Sequence, residues 1–378
     1  MSGTVVVTGG GTAGHVLPAL AVAEALVARG YRPDQIDYVG TTRGIENRLL
    51  PETPFPATYL DVMGLQRRLS FDNVRFVTGM WRATRQAARL LNERNTQAVV
   101  SVGGYGSMPA VFAARRLKIP IITVSYDFLP GLATKLSARW AVASAVAFPG
   151  STLPRPVVTG APLRQTILDI DRDAQRDEAR QRLGIDRDRF MIAVVGGSQG
   201  SGVLNHSVAE LCERHSDDHG LAVRHIAGDR FLDETPPARD GSDGLVYQPV
   251  GYEADMSTVY AAADLLIARG GASTVHEVAA VGIPAILVPW AGAAENHQAL
   301  NVDWLASAGA AIDLGESDIA RLGEIVDRLR GDDDERARLA AAARQQGALH
   351  RDGAIARLID DVVCGRPVPT TESPDLVS

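Results

Sequence analysis

Val5-Val6-Val7-Thr8-Gly9-Gly10-Gly11 near the start of the chain and Ile192-Ala193-Val194-Val195-Gly196-Gly197-Ser198-Gln199-Gly200 near its middle read alike: a short apolar run, a glycine turn, then a segment of helical period. An apolar run of this length, rich in β-branched residues and bounded by glycine, is a buried strand, and a strand passing through such a turn into a helix opens a βαβ unit. The alternation continues outward from each opening. Strands are expected at 5–8, 36–39, 98–102, 119–124 and 145–148, and again at 191–195, 222–226, 265–268 and 285–288. The fold class is therefore α/β, two parallel sheets with helices on both faces.

A length of 378 residues supports the same division, because single cores stop growing near ~250–300 residues. Pro154, Pro156 and Pro162 mark a crossing between the halves. The expected domains are 1–160 and 161–368, with the last helix a candidate to pack back on the N-terminal domain and a flexible polar tail at 369–378. A formal net charge of −7 excludes whole-molecule attraction to nucleic acid, so no nucleic-acid partner is expected. Cys212 and Cys364 stand far apart without ligand spacing, which suggests neither a disulfide framework nor a zinc site. The chain enters its first strand without a basic and apolar leader, and no apolar run reaches ~18–20 residues. These features point to a cytoplasmic protein that does not span a membrane.

Chemistry concentrates at the glycine turns. Gly9-Gly10-Gly11-Thr12-Ala13-Gly14-His15 precedes a helix that Pro18 is expected to pre-set from its first turn. Its backbone N–H groups suit an anion at the positive end of that helix, with His15 at the rim; the same residues also serve as a plain tight turn. A dinucleotide fold is disfavoured, since the spacing is not GxGxxG and the second strand closes on Gly40 rather than an acid. Gly196–Ser201 adds a second set of N–H groups with a hydroxyl. Arg269-Gly270-Gly271-Ala272-Ser273-Thr274-Val275-His276-Glu277 puts a carboxylate one turn into a helix, where it can accept both hydroxyls of a ribose. Glu295-Asn296-His297-Gln298-Ala299-Leu300-Asn301 offers side-chain amides that either read sugar hydroxyls or cap helices.

The stretches GGGTAGHVLPALAVAEAL, SVGGYGSMPAVFAA, VTGAPLR, GGSQGSGVLN, ARGGASTVHEVAAVGIPAILVPW and AENHQALN, in this order and over nearly the full length, resemble the MurG family. That family transfers N-acetylglucosamine from UDP-N-acetylglucosamine to the undecaprenyl-linked muramoyl-pentapeptide of peptidoglycan synthesis. The resemblance implies the GT-B architecture, two Rossmann-like domains facing a central cleft, with the donor mainly on the C-terminal domain and the acceptor on the N-terminal one. It implies that Thr12, Ala13 and Gly14 line the donor sugar and phosphates, with His15 beside the reacting centre. It places Arg164 and Ser198 on the diphosphate and the backbone at Glu253 on the uracil edge. Ala272, Ser273, Thr274 and Glu277 wrap the nucleoside, with Glu277 on the ribose, while Gln298 and Asn301 recognise the N-acetylglucosamine hydroxyls. Tyr105 faces the acceptor.

One segment departs from the family pattern. Where members commonly read HEQNxxPGLAN, this chain has Val124-Ser125-Tyr126-Asp127-Phe128-Leu129-Pro130-Gly131-Leu132-Ala133-Thr134. Asp127 stands where an Asn contacts the donor sugar, so it joins His15 as a candidate base; capping the following helix is the plainer role for it. No Asp-x-Asp pair stands at a plausible position after a strand, and the expectation is inverting transfer with no metal or cofactor, the leaving charge being met by N–H groups, a helix N-terminus and Arg164. Between Arg67 and Arg94 seven arginines interleave with apolar side chains, against only Asp72 and Glu93. Such a segment suits peripheral docking on an anionic membrane at the cytoplasmic face, or packs as an ordinary helix with solvated arginines. Competing readings are a MurG-like transferase with another acceptor, a UDP-N-acetylglucosamine 2-epimerase-like enzyme, and a non-catalytic nucleotide-sugar binder.

Overall fold

The computed structural model describes residues 3–62, 72–197 and 199–368. The chain divides into two compact units: residues up to Gln165 together with those from Asp352 on, and Thr166–Arg351.

In the first unit the order is β1 (Thr4–Thr8), α1 (Ala13–Ala28), β2 (Ile36–Thr41), α2 (Glu46–Leu49), β3 (Ala57–Leu60), α3 (Asp72–Glu93), β4 (Thr96–Ser101), α4 (Met108–Leu117), β5 (Ile121–Ser125), α5 (Leu132–Ala138), β6 (Ala143–Val146) and β7 (Pro156–Val158). The sheet runs β3-β2-β1-β4-β5-β6-β7, and all its pairings are parallel. The Thr4–Thr8 strand is buried at every position, as a strand covered on both faces must be. Helix α3 turns Ala83, Ala87 and Leu91 into the core at helical spacing, which leaves Trp81, Arg82, Arg85 and Arg89 exposed. The strand order reverses between β1 and β4, so the loops after these two strands flank the crevice where doubly wound sheets take ligands.

The second unit repeats the plan. Its elements are α6 (Gln165–Leu168), α7 (Arg172–Leu183), β8 (Phe190–Val195), α8 (Gly202–Arg214), β9 (Leu221–Ile226), β10 (Arg239–Asp240), β11 (Val246–Val250), α9 (Met256–Ala262), β12 (Leu265–Arg269), α10 (Ala272–Val281), β13 (Ala285–Val288), α11 (His297–Ala306), β14 (Ile312–Asp313), α12 (Leu322–Gly331), α13 (Asp333–Gln346) and α14 (Ala348–Arg351). The order β10-β11-β9-β8-β12-β13-β14 is parallel except for the β10–β11 hairpin, and it reverses between β8 and β12. Met191, Ile192, Leu266, Ile267, Ile286 and Leu287 are fully buried between the helical layers, each removal from water being worth roughly 1.5–3 kcal/mol.

A buried ion network pins the entry into this sheet. Arg180 is 1% exposed, and its guanidinium pairs with Asp264 at 2.5 Å and donates to the Ala262 carbonyl at 3.0 Å. Asp264 also accepts from the Met191 amide at 2.7 Å, fixing where β8 begins. The final helix, α15 (Ala354–Val363), belongs to the first unit and lies against α1 and β4. Strands β3, β7, β10, β11 and β14 were absent from the sequence expectations. β3, β7, β10 and β14 are short strands at the two ends of each sheet, and β11 carries Pro249, so none shows a long apolar run. The tail at 369–378 lies outside the described residues.

Candidate functional site

The first unit carries its polar groups at the loops after β1, β4 and β5. Helix α1 begins at Ala13 with Thr12 as N-cap, and no side chain accepts from its first turn. Thr12 and Gly14 are exposed, so the amides at this helix start face outward, where an anion can bind. Pro18 lies in the second turn of α1, five residues past its first residue, and not in the first turn as the sequence suggested. Lacking an N–H, it gives the Gly14 carbonyl no helical donor.

The loop after β4 interlocks with the glycine turn. Gly103 and Gly104 have φ of +93° and +75°, and a Cβ on Gly104 would meet the Gly10 carbonyl oxygen at 2.4 Å. The Tyr105 ring packs on Gly11, where an added Cβ would lie 2.8 Å from its Cε1. A residue that sequence reasoning missed holds the other side. Glu46 is fully buried, and its Oε1 accepts from the Thr41 amide at 2.8 Å, the Thr41 hydroxyl at 2.7 Å and the Gly11 amide at 3.3 Å. The Gly11 amide is thus committed to a carboxylate and the His15 amide to the Thr12 carbonyl at 3.0 Å, which leaves Thr12, Ala13 and Gly14 as the candidate amides for an anion. Glu46 reads in sequence as one more surface acid of a charged stretch; only its distance of 35 residues from Gly11, closed by the fold, reveals it.

His15 is half-buried, and its Nδ1 lies 2.9 Å from the hydroxyl of Tyr126, which itself donates to the Gly14 carbonyl. Burial lowers the His15 pKa below its ordinary value, against which the neighbouring Asp127 carboxylate and the Val102 carbonyl pull it up. Burial, with the Asp127 and Tyr38 charges, drives the Tyr126 phenol well above its ordinary range. Asp127 does not cap the helix that follows: α5 starts after Gly131, which has no side-chain cap. Arg164, also in this unit, is half-buried and pairs with no carboxylate among the described residues.

In the second unit the turns after β8 and β12 mirror this arrangement. Gly197 and Gly200 have φ of +82° and +70°; Ser198 lies outside the described residues. Beneath the turn, His225 is fully buried between the Tyr247 hydroxyl at 2.8 Å from Nδ1 and Asn205 Oδ1 at 3.0 Å from Nε2. Helix α10 opens with Ala272 after Gly271, again without a side-chain cap, and Ser273 and Thr274 are half-buried in its first turn. Glu277 is half-buried one turn in, and the Tyr260 hydroxyl donates to its Oε2 at 2.7 Å, orienting the carboxylate.

Glu253 commits its side chain to the Arg224 guanidinium at 2.7 Å and accepts from the Asp255 amide at 3.0 Å. Gln298 Oε1 accepts from the Trp290 amide at 2.9 Å. Asn301 is fully buried and donates to the Gly270 carbonyl at 3.4 Å, so it braces the glycine turn, and a direct contact with a sugar hydroxyl does not follow from this placement. Among the described residues no group of three or more His, Cys, Asp or Glu side chains comes together as a metal site would need.

Comparison with known proteins agrees with this layout. Residues 5–146 match the glycosyltransferase family 28 N-terminal domain and residues 191–357 its C-terminal domain. A UDP-N-acetylglucosamine–N-acetylmuramyl-(pentapeptide) pyrophosphoryl-undecaprenol N-acetylglucosamine transferase of Clavibacter sepedonicus is 40% identical over 95% of this chain and 96% of its own. The enzyme of the same name from Cutibacterium acnes is 38% identical over 90% of this chain and 92% of its own. Among solved structures, Acinetobacter baumannii MurG superposes with a TM-score of 0.70 at 27% identity, covering 96% of this chain and 99% of that one. Arabidopsis thaliana UGT89C1 complexed with UDP, with a TM-score of 0.66 at 14% identity over 96% of this chain and 99% of its own, shares the fold alone. The chain is an α/β glycosyltransferase built on two Rossmann-like sheets, and it belongs to the MurG family of glycosyltransferase family 28.

Proposed function

We infer that the chain transfers N-acetylglucosamine from UDP-N-acetylglucosamine to an undecaprenyl-pyrophosphoryl N-acetylmuramyl-pentapeptide, in one in-line displacement that inverts the anomeric carbon. The substrates are those in the names of relatives that align with it almost end to end. The single observation that carries the chemistry is the pairing of a half-buried His15 with outward-facing helix-start amides on the first unit. The acceptor hydroxyl oxygen bonds to the anomeric carbon as the bond from that carbon to the β-phosphate oxygen breaks. Its proton passes to His15, with Asp127 stabilising the imidazolium, and UDP leaves as the anion. The lowered pKa keeps His15 unprotonated, and therefore basic, at neutral pH. Arg164 and the α1 amides meet the leaving charge, so this reading requires no metal. Glu277, oriented by Tyr260, accepts from the ribose hydroxyls.

The acceptor is lipid-linked, which requires contact with a membrane surface. No helix of the described residues is long and apolar enough to cross one. Support for peripheral docking on an anionic leaflet comes from α3, where Trp81 is 59% exposed with the Arg85 guanidinium 4.5 Å above its ring and where Arg82 and Arg89 are also exposed. Arg67, Arg68, Leu69 and Phe71 of that segment lie outside the described residues. The test is transfer of radiolabel from UDP-N-acetylglucosamine to the lipid-linked muramyl-pentapeptide in EDTA, with a control lacking acceptor. Labelled lipid is the expected result. Tight donor binding without lipid product would point to another acceptor, which the replaced 124–127 segment would then explain.

A further inference from the structure

We propose that Glu316 is a positioning residue for the donor sugar: its carboxylate bridges the end of β12 and the loop after β13, and so holds Gln298 where its side-chain NH2 meets the sugar. The inference deepens the reading of the chain as a UDP-N-acetylglucosamine transferase and rests on it. All the residues involved lie in the second unit. Glu316 opens the 3₁₀ turn that follows β14, and its two oxygens reach two different segments. Oε1 pairs with the Arg269 guanidinium at 2.6 Å, and Oε2 accepts from the Ala291 amide at 3.1 Å. Arg269 ends β12 directly before the Gly270-Gly271 turn into α10, and it is 8% exposed. It also donates to the carbonyl of Val288, the last residue of β13, at 3.2 Å. One carboxylate thus ties the turn that opens α10 to the loop that leads into α11.

That loop needs outside support. Glu295 and Asn296, neither of them glycine, stand in succession at φ of +53° and +56°, a conformation that persists only where surrounding contacts over-determine it. Two successive amides supply such contacts, Ala291 to Glu316 and Trp290 to Gln298 Oε1 at 2.9 Å. A backbone N–H can only donate, so the oxygen of the Gln298 amide is the atom that faces Trp290. The Gln298 NH2 has no partner among the described residues and is left to donate to a sugar oxygen. Asn301, one turn further along α11, donates to the Gly270 carbonyl, so the link returns to the same glycine turn. Glu316 therefore acts on the sugar through Ala291, Trp290 and Gln298. A glutamine at 316 would carry one acceptor oxygen and one NH2, enough for Arg269 or for Ala291 and not for both. An aspartate would keep the charge beside Arg269 with a reach one methylene shorter.

The test is calorimetric binding of UDP and of UDP-N-acetylglucosamine, without acceptor, to full-length wild type, Glu316→Gln, Glu316→Asp, Gln298→Ala and the double variant of Glu316→Gln with Gln298→Ala. UDP affinity should stay within about twofold throughout. Affinity for UDP-N-acetylglucosamine should fall about tenfold in each single variant, as for a hydrogen bond whose partner is left desolvated. The double variant should lie within about twofold of either single one, because both act through one contact. Additive losses in the double variant, or Glu316 variants that bind the sugar donor as wild type does, overturn the proposal and leave Gln298 a sugar ligand. Equal weakening of UDP and UDP-N-acetylglucosamine in the Glu316 variants overturns it as well, being the mark of a general structural role. Glu316→Asp keeps the test open should Glu316→Gln not fold. Wild-type affinity for the sugar donor in Gln298→Ala removes Gln298 from the site and the proposal with it. A wild type that binds no UDP-N-acetylglucosamine refutes the transferase reading itself, and the proposal falls with that reading.

Discussion

Lowering the pH from 7.5 to 5 should destabilise the second unit by about 4 kcal/mol through two buried histidines. His225 is fully buried in a chain whose directions are determined: Asn205 donates to the Ala227 carbonyl at 3.1 Å, so its Oδ1 must accept from His225 Nε2–H, and Nδ1 then accepts from Tyr247. A second proton would have to sit between Nδ1 and the tyrosine oxygen in place of that bond, and burial lowers the pKa of His225 from 6.5 to about 4. His350, 6% exposed and 3.2 Å from His276, is lowered to about 2, first by burial and then by the charges of His276 and Arg351. In both the unfolded chain binds the proton more readily, so stability is complete above pH 6.5 and drains as pH falls toward the folded pKa. At pH 5, 1.5 units below the unfolded value, linkage gives about 2 kcal/mol for each. That is a large part of the ~5–15 kcal/mol that holds a domain. Asp313, raised by burial and then by the charge of Asp303, acts in the opposite sense at the acid end of this window. Urea unfolding followed by tryptophan fluorescence at pH 7.5 and 5 measures the loss, Trp304 lying 5.4 Å from His276 and 6.1 Å from His350. The His225→Gln variant should show about half the pH dependence. Equal midpoints at both pH values, or a full dependence surviving in His225→Gln, would refute the reasoning.

Replacing Asp264 by Ala leaves the Arg180 guanidinium, 1% exposed, without its counter-charge and the Met191 amide without its acceptor, and it should cost about 3–5 kcal/mol in urea unfolding. Glu46→Ala strands the Thr41 amide, the Thr41 hydroxyl and the Gly11 amide. It should cost about 3 kcal/mol or more and release the glycine turn, visible as faster hydrogen exchange of the Gly11 amide; unchanged exchange would show that Glu46 does not hold it. Glu277→Gln removes the carboxylate that Tyr260 orients and should weaken UDP binding about tenfold or more by calorimetry. Wild-type affinity in that variant would sink the ribose assignment.

Much of this protein was legible without its fold. The two apolar-run, glycine-turn, helix openings establish two α/β units, because burial of a strand on both faces and the sterics of a tight turn are local demands that local residues must meet. Thr12, Ala13, Gly14, His15 and Glu277 stand out as candidates because each follows a strand and its glycine turn, and the family resemblance supplies the roles expected of them. What only the tertiary structure decided depends on contacts between distant residues. Glu46 reaches a turn 35 residues away, and Tyr126 meets an imidazole 111 residues away. Neither side chain has a periodicity or a spacing that announces its partner. For Asn301 the residues alone left a helix-capping role and a sugar-reading role open, and the packing of α11 is what places its amide under the Gly270 carbonyl. The sheet ends escaped detection because two- to four-residue strands at those ends carry too few buried positions to show a pattern. Local sequence determines which elements form and where their polar ends lie, while the pairing of those ends is settled by the order in which the strands assemble.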